Sequence, residues 1–214
     1  MIKNILLMSL LLSPAMASAN MNVSYSDNIL ELGYSVDIKD DSYLYLGADS
    51  ANWFAVGYGH AYMFENYVRL SGYYEYSQWD NVLLGDFGVR TNSHLIDLSV
   101  TKFFPASSIK FGGKYELIDD SGWEFEAGDK QALYTGYSRY FEKWYASATY
   151  THSLRQYDDE MWGDSDSDYR SNELELTLGW NQVWKVSPYI KGTAFRMYGD
   201  NTGYSWSVGG SVSF

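Results

Sequence analysis

The chain has 214 residues, no cysteine, an aromatic content of 18% and a formal net charge of −12. The lack of cysteine excludes a disulfide framework and a lipid-modified N-terminal Cys, and the negative charge opposes binding to nucleic acid. Mean hydropathy is slightly polar and no apolar run beyond the N-terminus reaches the ~20 residues of a spanning helix, which excludes a helical membrane protein but not membrane strands, where only alternate residues need be apolar.

Residues 1–19 read as an export signal, with Lys3 in a short n-region, an apolar stretch from Ile5 to Leu12, and a small-x-small ending at Ala17, Ser18 and Ala19. The apolar stretch is too short for a membrane anchor. Cleavage after Ala19 is therefore expected, leaving residues 20–214 as a single domain with no linker or break in composition.

Ten segments then alternate with period two, as strands with one apolar and one polar face do. The first, at about 28–38, sends Leu30, Leu32, Tyr34, Val36 and Ile38 outward and Glu31, Gly33, Ser35 and Asp37 inward. The second, within 53–64, has large residues on both faces, and its facing stays open. The third, near 67–77, turns Arg69, Ser71, Tyr73 and Glu75 inward, and the fourth, near 93–104, sets Ile96, Leu98 and Val100 against Asp97, Ser99 and Thr101. The fifth, near 108–118, alternates Ile109, Phe111, Gly113, Tyr115 and Leu117 with Lys110, Gly112, Lys114 and Glu116. The sixth and seventh form a hairpin at about 131–141 and 144–154, with Arg139 expected inward. The eighth, near 172–181, opposes Leu174, Leu176, Leu178 and Trp180 to Glu173, Glu175 and Thr177, and the ninth spans about 186–198.

The last eleven residues, YSWSVGGSVSF, place Tyr204, Trp206, Val208, Gly210, Val212 and Phe214 on one side and Ser or Gly on the other. A terminal Phe preceded by apolar residues at every second position resembles the C-terminal signal of outer-membrane barrels, which the assembly machinery of that membrane reads. The whole chain resembles the small Gram-negative outer-membrane barrels, among them the Ail and Lom surface proteins and, more faintly, the accessory colonization factor A type. That resemblance rests on alternation, length and ends, with no family-specific motif. It implies an all-β, closed antiparallel transmembrane barrel in outer-membrane lipid and lipopolysaccharide, with adhesion or colonization as a loosely implied role.

Short links at FENY, FPASS, FEKW and NQVWKV alternate with longer ones at 39–52, 78–92, 119–130 and 155–171, the asymmetry of periplasmic turns and outer loops. Ten strands leave both termini periplasmic. Eight strands is one alternative, and twelve is the other, with 21–26 and 43–49 as the added pair.

The long links together with 199–203 hold seventeen acidic and five basic residues, so nearly all the charge imbalance is expected outside the cell. Inward faces are mixed, with Glu31, Asp37, Glu75, Asp97, Glu116, Glu173 and Glu175 against Arg69, Lys110, Lys114, Arg139 and Lys191. Cross-lumen ion pairs in a narrow or side-chain-filled interior follow from this mixture. The run with Asp164, Asp166 and Asp168 offers oxygen ligands for a divalent cation, but lacks the Gly and distal Glu of a calcium loop.

A nucleophile with its base would need His152 and Ser153 on one face, yet neighbours in a strand point oppositely; His94 is similarly unsupported, and His60 sits in the segment whose facing stays open. No enzyme and no cofactor are expected. Trp123, Phe125, Tyr157, Met161, Trp162 and Tyr169 among the acids favour a surface-interaction protein with a host or cell-surface ligand. A narrow pore is the second reading, favoured by any continuous water path past Arg69, Lys110, Lys114 and Glu116, and a lipid-modifying enzyme is the third.

Overall fold

The computed structural model describes residues 19–39, 41–80, 90–121, 127–157, 169–181, 185–196 and 202–213. The leader expectation therefore lies almost wholly outside the described residues, as do Phe214, Asp164, Asp166, Asp168, Trp123, Phe125, Met161 and Trp162.

Twelve strands form, not ten: β1 Ala19–Ser26, β2 Ile29–Lys39, β3 Ser42–Asp49, β4 Trp53–Met63, β5 Val68–Asp80, β6 Arg90–Phe104, β7 Ser107–Ser121, β8 Gly128–Tyr140, β9 Trp144–Tyr157, β10 Tyr169–Trp180, β11 Val186–Arg196 and β12 Thr202–Ser213. Each pairs antiparallel with its neighbours in sequence, and β1 pairs with β12 to close the barrel. The two added strands, β1 and β3, cover the segments of the twelve-strand alternative. Strand β3 is hard to read because Tyr43 and Tyr45 are as bulky as the Leu44 and Leu46 they alternate with. The interior accepts those rings only because the strands beside them carry glycine.

Links at 64–67, 105–106 and 141–143, with the ends of β2 and β10 and the starts of β3 and β11, lie at one end of the barrel, together with the start of β1 and the end of β12. Links at 27–28 and 50–52, together with the ends of β5, β7, β9 and β11 and the starts of β6, β8, β10 and β12, lie at the other. The expected long link at 39–52 is thus mostly strand. Tyr157 and Tyr169, expected in an outer loop, are the last residue of β9 and the first of β10.

Two short links show how local chemistry sets the register. Asp27 and Asn28 have φ of 48° and 67°, the left-handed pair that a two-residue hairpin requires and that Asn and Asp tolerate best. At 50–52, Asp49 Oδ1 accepts the backbone N–H groups of Ala51 and Trp53, both at 2.8 Å, in place of solvent.

Outward positions carry an apolar belt. Ile96, Leu98, Leu133, Leu176 and Ile190 are all exposed in its middle. Exposed Tyr62, Phe64, Phe104, Trp144 and Trp180 lie toward the end with the short links, and Tyr25, Phe54 and Tyr204 toward the other. A continuous belt of this size is stable against hydrocarbon rather than water, and the two aromatic groups occupy the levels where amphipathic rings settle. The facing of β4 resolves the same way. Phe54, Val56, Tyr58 and Tyr62 are exposed, whereas Ala55 and Ala61 are buried.

Candidate functional site

The site is the barrel interior, built from one residue in two along every strand. Register places Glu31 and Asp37 of β2, Arg69 and Glu75 of β5, Asp97 of β6, Lys110, Lys114 and Glu116 of β7, and Glu173 and Glu175 of β10 on inward positions. Arg139 is the exception. It sits opposite Ser107 and Ala146, on the outward face of β8 with Leu133 and Tyr137, and its guanidinium lies 5.9 Å from the Phe141 ring. A long cationic side chain at a strand end reaches the polar boundary from the lipid side, so this position tolerates it.

Two further cations belong to the interior. Lys130 pairs in register with Glu116 on one side and Arg155 on the other, so both face inward. In the sequence pattern both fall in the long links, because β8 and β9 each run about three residues further than their alternation advertises.

The interior polar groups engage one another. Lys191 Nζ lies 3.2 Å from Glu175 Oε2. Tyr134 donates to Asp97 Oδ1 at 2.6 Å, Tyr73 to Glu75 Oε2 at 2.5 Å, and Ser93 to Glu116 Oε1 at 2.5 Å. The ring of Tyr134 also has two cations over it, with Lys110 Nζ at 4.9 Å and Lys114 Nζ at 5.6 Å from its centroid. Each carboxylate so bonded is held against the wall, and the ring quadrupole favours both ammonium groups.

The interior is only partly filled. A cavity of about 440 Å³ is lined by Tyr43, Arg69, Tyr73, Asp97, Lys110 and Tyr140, with Ser71, Ser99, Thr101, Ser108 and Ser138 supplying hydroxyls. Lys114 is inward and midway along β7, yet it is solvent-exposed, as is inward-facing Glu173. Water therefore reaches the middle of the barrel.

The histidines all face outward. Nδ1 of His60 lies 2.8 Å from Ser42 Oγ, that of His94 lies 2.8 Å from the Tyr74 hydroxyl, and that of His152 lies 2.9 Å from Asn172 Oδ1. Ser153 is buried on the opposite face from His152, so those two do not form a nucleophile and base. Among the described residues no group of three or more His, Asp or Glu could hold a metal ion.

No protein-family model matches the sequence, and neither does any curated protein. Solved structures do match. One titled KdgM porin superposes with a TM-score of 0.62 at 12% identity, covering 92% of this chain and 99% of that one. One titled NanC porin structure gives 0.64 at 10% identity, covering 91% and 98%. LpxR from Salmonella typhimurium gives 0.54 at 8% identity, covering 92% and 99%. At such identities the likeness is one of fold: the chain is a closed twelve-strand antiparallel barrel of the kind found in outer-membrane proteins.

Proposed function

We propose that this protein is an outer-membrane channel for small polar solutes, exported through a cleaved leader, with both termini and the shorter links on the periplasmic side. The observation that carries the reading is the solvent-exposed Lys114, an inward cation at mid-strand in a barrel whose apolar residues face out. A charged group stands in the middle of such a barrel without full burial only where water reaches it. The polar, hydroxyl-rich cavity beside it supports the same conclusion, as do neighbours in fold whose titles name them porins. Interior charges of both signs suit solutes with polar groups of either kind better than a pore tuned to one sign.

The channel reading displaces surface interaction as first choice, because the aromatic residues that favoured the latter are outside the described residues or at strand ends. The test is current across a planar bilayer holding the refolded protein, combined with swelling of proteoliposomes in small sugars and amino acids. Stepwise currents and swelling are expected. Silent membranes and unswollen vesicles would remove the channel and return surface interaction to first place.

A further inference from the structure

Three tyrosine rings share one patch of interior wall. Tyr43 and Tyr73 stand with centroids 6.1 Å apart and planes 16° apart, and Tyr45 meets Tyr73 edge-on at 6.3 Å and 71°. They come from β3 and β5, and β4 runs between these strands with Gly57 and Gly59 at inward positions. Gly57 pairs with Tyr45 and Glu75, and Gly59 pairs with Tyr43 and Tyr73.

Neither glycine is needed for backbone freedom, since Gly128 is the one glycine with positive φ among the described residues. Space is the reason. A Cβ on Gly57 would stand 2.7 Å from Tyr73 Cζ and 2.8 Å from its Cε2, and a Cβ on Gly59 would overlap the Tyr43 ring. Non-bonded carbons rest at about 3.5–4.0 Å, so either methyl would drive a ring about 1 Å or more from its seat. Strand β4 cannot yield, because it is paired along both edges. The free direction is into the cavity of about 440 Å³ that Tyr43 and Tyr73 both line.

We propose that Gly57 and Gly59 set the bore of the channel: their missing side chains form notches in which Tyr73 and Tyr43 lie back against the wall and leave the lumen open. The inference rests on the channel reading. Its consequence is that the narrowest dimension is governed by two residues with no side chain, and the rings they seat determine which solutes pass.

The test uses the full-length folded protein in planar bilayers, with heat-modifiable gel mobility reporting the folded fraction. Gly57→Ala and Gly59→Ala are each expected to lower single-channel conductance roughly twofold or more, since ring displacement narrows a lumen of this strand number. They should also exclude smaller polyethylene glycols than the wild type does. Gly113→Ala, an outward glycine of β7 that does not line the cavity, controls for the cost of alanine in a strand and should leave conductance unchanged. Adding Tyr73→Ala to Gly57→Ala removes the displaced ring and should restore conductance to the wild-type level or above. Equal conductance in wild type and Gly57→Ala overturns the inference, as does a loss that Tyr73→Ala does not reverse. A silent wild type is a different failure: it removes the channel itself, and this inference with it.

Discussion

Asp49 illustrates how the same carboxylate can be charge or construction. In sequence it counts among the acids of a long link, yet its Oδ1 satisfies two backbone N–H groups and builds the three-residue connection from β3 to β4. Asp49→Ala is expected to cost about 1–3 kcal/mol, the usual penalty for abandoning such donors, measured by urea unfolding of the refolded barrel. Asp49→Asn keeps the acceptor oxygen and should recover most of that loss. If alanine and asparagine prove equally mild, the turn does not depend on this bond. Tyr134 is a second case, because its hydroxyl holds Asp97 while its ring faces Lys110 and Lys114. Tyr134→Phe removes only the hydroxyl. A loss of about 1.5–3 kcal/mol is expected for a hydrogen bond to a charged group, and in a double-mutant cycle with Asp97→Ala, which removes the acceptor, most of it should vanish. Additive losses in that cycle would mean that the two side chains act separately.

Strands, rather than residues, carry the membrane address. Leu176 of β10 points to the apolar belt and its neighbour Thr177 to the interior, opposite Lys191. Leu176→Arg should destabilise the folded barrel by about 2–4 kcal/mol, as a cation near the bilayer midplane does, whereas Thr177→Arg should cost far less. Folding titrations in lipid vesicles would compare them, and equal costs would mean the two faces do not see different solvents. That alternation made most strands legible in the sequence, including the facing of β5 through β7, β9, β10 and β12. It failed where bulk sat on the interior side. Tyr43 and Tyr45 hid β3, and Trp53 and Met63 at the ends of β4 obscured its inward Ala55, Gly57, Gly59 and Ala61. The outward turn of Arg139 is illegible because a charge within an alternating segment reads as interior, and Lys130 and Arg155 are illegible because polar strand ends look like loops.

At the scale of the molecule, the two kinds of face add up to a cylinder with hydrocarbon outside and water reaching its middle. None of the candidate chemistry resides in a motif, which is why composition and periodicity reveal the architecture but not the traffic through it. Position along the axis is equally invisible to sequence, since neighbours such as Glu75 and Arg69 lie on one face but at different depths. The pairing of β1 with β12 has a consequence beyond closure. Asn20 and Ser213 are cross-strand partners, and Ser213 Oγ donates to Asn20 Oδ1 at 2.7 Å although 193 positions separate them in sequence. The seam therefore belongs to the covalent chain and not to the architecture. A circular permutant that splices the present ends and begins instead between Asp80 and Arg90 should reach the same native state. It should refold no faster, because wherever the circle is cut, one pair of staves must still find each other across the whole polymer.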